Sequence, residues 1–363
     1  MHKILFHHPL PLNPNAKSAS GIRPQRILQA FKDLGYEVDL VTGYASERKA
    51  AIQRVKQNIK NGVKYEFMYA ESSTMPTTLT EQHHLPTHPL LDWQFFRFCK
   101  KNAIPIGLFY RDIYWLFDEY GKSMNPIKTM VAKLAYRFDL WVYQQTLTKL
   151  YLPSMEMAKY VPSISQEKFA ALPPGHVSPN SKAQEAKKPL KLFYVGGLSN
   201  HYQMHKIFNV INATPRVQFT LCTRADEWQA IKDEYPQPNT NIRIVHEAGQ
   251  KMEQYLSDSD IAMLFVKPQE YREFAAPVKL YEYLGFQKPV LASKSTLAGK
   301  FVESNQIGWV IDYDEDALKN LLAQPCDHPE EISLIRKNVE KVAPQHSWRA
   351  RAQQVSSTLS LVE

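Results

Sequence analysis

In "PVKLYEYLGF", residues Pro277 to Phe286, a lysine and a glutamate stand three positions apart directly after a proline. Proline's fixed φ suits a helix start, and Val278, Leu280, Tyr281 and Leu284 recur at helical spacing. Pro277 is therefore expected to open a helix with Lys279 and Glu282 on one face. The unpaired N–H groups of a first helical turn, with the helix dipole behind them, attract an anion such as a phosphate, and Lys279 adds a point charge to that site. Glu282, one turn deeper, is suited to accept hydrogen bonds from vicinal hydroxyls. Phosphate beside ribose is a nucleotide. The competing reading is an exposed i,i+3 ion pair worth about 0.3 kcal/mol.

The elements that must position this pair are alternating strands and helices. The chain opens with a strand, "KILFHHPL", a polar loop to Ser20 and Gly21, a helix, "RPQRILQAFKDLG", and a strand, "YEVDLVTG". Strands follow at "VKYEFMYA" and "IPIGLFYRDIYW", then a long helix around "IKTMVAKLAYRFDLWVYQQTL" and a strand at "TKLYLPS". Residues 171–189, "ALPPGHVSPNSKAQEAKKP", are rich in Pro, Ser, Lys and Gly and mark a boundary. The pattern restarts at "LKLFYVGGL" and continues through "VQFTLCT", "NIRIVHEAG", "DIAMLFV", "PVLAS" and "IGWVID" to a helical tail. The expected fold is α/β, two tandem Rossmann-like domains over 1–175 and 176–345, with a helix in 346–363 packing back on the first. In open parallel sheets ligands sit beyond the carboxyl ends of the strands. Those ends in the second half carry Gly196 and Gly197, Arg224, Glu247 to Gly249, and the loop "KPQEYREFAAP" before Pro277. Close backbone approach, cations and a hydroxyl acceptor together suit a nucleotide diphosphate. Neither GxxxxGK[ST] nor a well-spaced GxGxxG after the first strand is present, which excludes those two ways of holding one.

A chain of 363 residues, 44% apolar and 22% charged, has the composition of a globular protein with room for two domains. Cys99, Cys222 and Cys326 lie far apart with no CxxC, against a disulfide framework or a zinc ribbon and in favour of a reducing cytosol. The N-terminal "MHKILFHHPLPLNPNAK" does not read as a signal peptide, and "IPIGLFYRDIYWLF" is too broken by Arg111 and Asp112 to span a bilayer. Net charge is +8, and the first 175 residues hold 22 Lys and Arg against 14 Asp and Glu, the remainder 22 of each. This one-sided excess, with aromatics interleaved among Lys100, Lys101, Lys128, Lys133 and Arg137, suits an anionic membrane surface met by the first half. Ordinary solubilising lysines and a helix packed on a sheet are the plainer alternative. His83, His84 and His88 in a Pro-rich loop lack carboxylate or cysteine partners, so no metal is expected there.

These segments resemble the GT-B glycosyltransferases of glycosyltransferase family 4 and its relatives. "LPPG" is similar to the family's entry into the C-terminal domain, "FYVGGL" to its first strand and glycine turn, and "PVKLYEYLGFQKPVLAS" to its nucleotide-sugar helix. "YLSDSDIAMLF", "IGWVID" and "HSWRARAQQV" are similar to further parts of that domain, and "SASGIRPQRILQAFKDLGYEVDLVTGY" to the acceptor-domain opening. The resemblance implies a metal-independent, hexosyltransferase-like, retaining enzyme without a cofactor. Its C-terminal domain would bind a nucleotide-sugar, UDP-linked before GDP- or dTDP-linked, and its N-terminal domain a lipid-linked or oligosaccharide acceptor, with transfer in the cleft. It further implies a cytoplasmic place, peripheral on the inner face of the membrane, in bacterial capsule or lipopolysaccharide assembly. Lys279 would neutralise the diphosphate and Glu282 hold the ribose, beside Gly196, Gly197, Pro277 and Val278. The chain departs from the family where a first glutamate is expected, since Phe274 stands there and Glu273 is one residue out of register. The cation that often follows the first glycine is here Gly197, leaving Arg224 or Arg272 to supply the second charge.

On the acceptor side, Arg111 and Asp112 end a strand, where a carboxylate can take a hydroxyl proton or orient the acceptor. Ser20, Gly21 and Arg23 lie in the first loop, which would approach acceptor or donor phosphates, with Ser20 alternatively a plain helix N-cap. His7 and His8 follow the first strand and can line the same site. A non-hydrolysing nucleotide-sugar epimerase of the same fold would need no acceptor. A non-catalytic glycan- or nucleic-acid-binding module is the third alternative, and the neutral second half and lack of nucleic-acid motifs argue against a nucleic-acid partner.

Overall fold

The alternation of strands and helices resolves, in a computed structural model describing residues 2–16, 18–122, 124–178, 189–198 and 202–360, into two six-stranded parallel sheets. The chain divides into two units, Met1–Pro173 with Trp348–Glu363, and Pro174–Ser347. The part of the expected boundary segment spanning 179–188 lies outside the described residues.

Unit 1 runs β1 (Lys3–His8), α1 (Ala19–Asp33), β2 (Glu37–Thr42), α2 (Ala45–Lys60), β3 (Met68–Glu71), α3 (Leu91–Lys101), β4 (Ile106–Phe109), α4 (Pro126–Thr146), β5 (Lys149–Leu152) and β6 (Phe169–Ala171). Its sheet order is β2-β1-β3-β4-β5-β6, so the order reverses between β1 and β3. Ile4, Leu5 and Phe6 are all fully buried, as expected of a strand covered on both faces.

Unit 2 continues with β7 (Leu190–Val195), α5 (His205–Asn212), β8 (Val217–Cys222), α6 (Ala225–Ile231), β9 (Ile242–Val245), α7 (Gln250–Asp258), β10 (Ile261–Leu264), α8 (Val278–Gly285), β11 (Val290–Ser293), α9 (Leu297–Asn305), β12 (Gly308–Ile311), α10 (Glu315–Asp327) and α11 (Pro329–Val342). Its order is β12-β11-β10-β7-β8-β9, with the reversal between β7 and β10. The helix of the lysine and glutamate begins one residue later than expected. Pro277 is its N-cap, with extended backbone, and Val278 its first residue.

The last helix, α12 (Trp348–Ser360), belongs to unit 1. Its Trp348, Ala352, Val355 and Leu359 recur at helical spacing and join Ile4, Phe6, Ile27, Phe31 and Tyr69 in one core cluster. Gly107 of β4 makes room for it, because a Cβ there would stand 2.9 Å from a Leu359 methyl and 2.7 Å from the Tyr151 ring.

Candidate nucleotide and acceptor sites

Unit 2 reverses its strand order between β7 and β10, and in a doubly wound sheet the ligand crevice lies beyond the carboxyl ends of those two strands. β7 ends there in Val195, followed by Gly196, and the chain leaving β10 leads through a short 3-10 turn, Glu270–Glu273, into α8. Gly196 has φ +141°, backbone that glycine adopts freely. A Cβ on it would fall 2.2 Å from Lys279 Nζ and 2.0 Å from its Cε, so the absent side chain is the space the ammonium occupies.

Lys279 and Glu282 do not pair with each other. The Lys279 ammonium donates to Tyr194 Oη at 2.7 Å and lies 3.6 Å from the centroid of the Tyr202 ring. The Arg272 guanidinium, itself buried, lies 3.6 Å from the same ring centroid. Two cations thus share one aromatic face system, which stabilises each through the ring quadrupole and partly offsets their mutual repulsion. Tyr194 is locked in turn, its hydroxyl donating to Gly197 O at 2.8 Å, and Tyr283 Oη takes the Val195 N–H at 3.2 Å. Burial, and then the charge of Arg272, push the Lys279 pKa well below its ordinary value, although Glu282 and Glu227 pull the other way. Burial raises Glu282, against the pull of Lys279. Its carboxylate makes no hydrogen bond among the described residues, which leaves it open to hydroxyl donors. Both side chains are partly buried, where the sequence alone suggested exposed ones.

Arg224, the N-cap residue of α6, is largely exposed and pairs with Glu227 at 3.2 Å, while Glu227 accepts the Leu198 N–H at 3.3 Å. It therefore reaches the glycine turn through a carboxylate, and Arg272 is the cation that shares the lysine's surroundings. Phe274 is buried and Glu273 exposed. Tyr194 and Tyr202 were not foreseen. Tyr194, two residues before the glycine turn, carried the one available signal, a phenol next to the end of a mostly apolar strand.

Unit 1 places a second cluster at its own reversal point. Glu71, the fully buried last residue of β3, accepts from Arg23 Nε (3.1 Å), Arg111 Nη2 (3.1 Å) and Tyr69 Oη (2.8 Å). Arg23, expected to face the acceptor, is instead interior: it donates to Leu172 O at 3.1 Å and stacks 3.4 Å from the Phe109 ring. Arg111 lines a cavity of about 340 Å³ with His8, Ser20, Gly21 and Ser73. Asp112 turns away into a tight turn, its Oδ1 accepting the Tyr114 N–H at 2.9 Å. The helix N-cap is Ser18 rather than Ser20, and its hydroxyl meets the Ser20 hydroxyl (2.9 Å) instead of a backbone N–H. His7 and His8 part company because neighbours on a strand face opposite ways. His7 binds Asp92 at 2.7 Å, within a bidentate Arg48–Asp92 pair. Burial would raise the Asp92 pKa, but His7 and Arg48 outweigh it and hold it at about 2. Among the described residues no group of three or more His, Cys, Asp and Glu could hold a metal, and no helix is long and apolar enough to cross a membrane.

Residues 204–357, which include Arg272, Lys279 and Glu282, match the family model described as glycosyl transferase-like. No curated protein sequence matches the chain. Among solved structures, HepE of Anabaena, crystallised with UDP, superposes with a TM-score of 0.64 at 14% identity, covering 99% of each chain. Sucrose-phosphate synthase of Thermosynechococcus elongatus superposes with a TM-score of 0.64 at 12% identity over 98% of each. WaaG, a glycosyltransferase involved in lipopolysaccharide biosynthesis, gives 0.57 at 12% over 98% of this chain and 99% of that one. The fold is therefore GT-B over the whole length, and the family model adds a sequence match over residues 204–357.

Proposed function

We propose that this GT-B chain is a glycosyltransferase whose donor, a sugar on a nucleoside diphosphate, is held in unit 2. The observation that carries the reading is the pairing of Lys279 and Arg272 around Tyr202 at the start of α8. There Gly196 opens the space for an ammonium that bonds to a phenol instead of a carboxylate. Two cations side by side at a helix start suit a diphosphate. Glu282 takes the ribose hydroxyls. In the reaction the bond from the anomeric carbon to the diphosphate breaks, the acceptor oxygen bonds to that carbon, and the hydroxyl proton passes to the departing diphosphate. Attack on the face the leaving group vacates retains configuration. Lys279, Arg272 and the first N–H groups of α8 stabilise the charge that develops on the leaving group, a role that needs no metal. HepE, crystallised with UDP-glucose in a further structure of similar fold, supports UDP as the nucleotide to try first. Thermal shifts with UDP, GDP, dTDP and CMP compounds test this. A matching nucleotide at 100 times its Kd adds about 2.7 kcal/mol of stability, and four unmoved melting points would refute the reading. Lys279→Ala and Glu282→Ala should each cost about 1.5–3 kcal/mol of nucleotide binding.

The acceptor is proposed to be lipid-linked or an oligosaccharide, in bacterial surface polysaccharide assembly, reached from the inner face of the membrane. What supports a membrane partner is the outer face of α4. Ile127, Val131, Leu134, Phe138 and Trp141 follow one another at helical spacing, and Ile127, Leu134 and Trp141 are 68%, 54% and 47% exposed. Lys128, Lys133 and Arg137 flank the stripe, and the helix's single acid, Asp139, is buried. Trp93 of α3 extends the patch against Trp141 at 5.9 Å, with Arg97 over its ring. An apolar stripe rimmed by cations fits the interfacial region of an anionic bilayer.

A further inference from the structure

We propose that the cavity of unit 1 is a binding site for a hydroxylated oxyanion of monosaccharide size, such as a sugar phosphate, with separate groups for its charge and for its hydroxyl. The site rests on unit 1 geometry, and only calling its ligand the acceptor rests on the glycosyltransferase reading. The charge side comes from Arg111 and the first turn of α1. Arg111 donates Nη2 to Glu71 Oε2 and Nε to Ser72 O (3.4 Å), so Nη1 is its remaining donor group on the cavity. Arg23 and Arg111 share the one carboxylate of Glu71, two guanidiniums on one acid, and Asp112 also acts on Arg111 through its charge. Asp112, the next acid along the chain, does not line the cavity. Beside Arg111 the helix opens at Ser18 with no side-chain cap, so its leading N–H groups add to the same pull on an anion. Gly21 is what lets the preceding loop wall the cavity, since a Cβ there would lie 2.5 Å from the Ala16 Cβ.

The hydroxyl side is His8. It is 5% exposed and lines the cavity, and its Nδ1 lies 3.0 Å from Leu10 O. The Leu10 N–H lies 3.3 Å from the same Nδ1, so Nε2, which has no partner among the described residues, offers the cavity a lone pair when Nδ1–H donates to the carbonyl and an N–H when Nδ1 accepts from Leu10, and a ligand hydroxyl can meet either. Burial, only partly offset by that backbone bond, lowers the His8 pKa to about 4, so the ring stays neutral at neutral pH. A cavity of about 340 Å³ with a cation at one wall and a neutral imidazole nitrogen at another suits a ligand that carries both a negative charge and a hydroxyl.

The test titrates the full-length protein with glucose 6-phosphate, glucose and inorganic phosphate by calorimetry, alongside UDP. Glucose 6-phosphate should bind and glucose should not. Ser20→Asp, which puts a negative charge where an acid suits a helix start and the chain still folds, should weaken glucose 6-phosphate at least tenfold while leaving UDP unchanged. Lys279→Ala should do the reverse. His8→Phe should keep inorganic phosphate binding and remove the extra affinity of the sugar phosphate over it. Vesicles of phosphatidic acid against phosphatidylcholine separate a lipid-borne phosphate from a soluble one: Ser20→Asp sensitivity confined to vesicles supports the site with a lipid source. Loss of sugar-phosphate binding in Lys279→Ala but not in Ser20→Asp, or no Ser20→Asp-sensitive binding of either source, would overturn the proposal. UDP binding would stand or fall separately.

Discussion

Lys279 is held with its proton affinity reduced, by burial and by Arg272. A bound diphosphate would bring negative charge against the ammonium and raise that affinity again. The site should therefore take up protons on binding between the lowered free value and the raised bound one, and affinity should fall as pH rises through that window. Calorimetry of UDP binding in buffers of different ionisation enthalpy reads the uptake directly, and Lys279→Met should abolish it. Asp112, bound to the Tyr114 N–H, is proposed to position the acceptor loop, so Asp112→Asn should raise the acceptor KM by roughly 10-fold or more while leaving nucleotide affinity alone. Spacing alone paired Lys279 with Glu282, because both lie on one face of one helix. It could not show that Tyr194, 85 positions earlier, holds the ammonium, nor that Arg23 turns inward, because those outcomes depend on contacts between distant elements.

Elements were more legible than side chains. The period-2 and 3.6-residue patterns located β7, α8 and α4, whose apolar residues are numerous enough to outvote any single exception. α1 starts four residues before the expected Arg23, with its cap at Ser18 rather than Ser20, and α8 one residue late, since Ser18 and Ser20 are equally good caps on paper and proline is accepted on either side of a helix start. The amphipathic reading of α4 was equally ambiguous, because a stripe for a sheet and a stripe for a bilayer have the same composition. Burial separates them: Tyr136, Leu140 and Tyr143 face the fold, and Ile127, Leu134 and Trp141 face out. If the outer stripe meets a membrane, Ile127→Asp with Leu134→Asp should abolish sedimentation with anionic vesicles. The wild type should lose it with salt, since screening sets in over about 10 Å at 0.1 M. Vesicle binding unchanged in the double variant would remove α4 from consideration.

Over the whole molecule, the basic excess of the first 175 residues and the balanced remainder match a division of labour between the units. The composition break near residue 180 was readable. The apolar stripe of α12, a helix expected in 346–363, joins the unit 1 core. Ending the chain after Ser347 would expose the core that Trp348, Val355 and Leu359 cover. Each such side chain is worth about 1.5–3 kcal/mol, against a domain stability of about 5–15 kcal/mol. Hydrogen exchange should then show unit 1 opened while unit 2 still binds its nucleotide.

The same placement of α12 reverses the order of assembly on the ribosome. Unit 2 is one continuous stretch, Pro174–Ser347, complete in sequence as soon as its last residue clears the exit tunnel. Unit 1 is synthesised first, yet it waits with an unsealed face until Leu359 can seat against Gly107. The older half of the nascent chain is thus the last to close, and for the time it takes to translate about 174 residues, roughly 10 to 35 s, it is the half that a chaperone would have to shield.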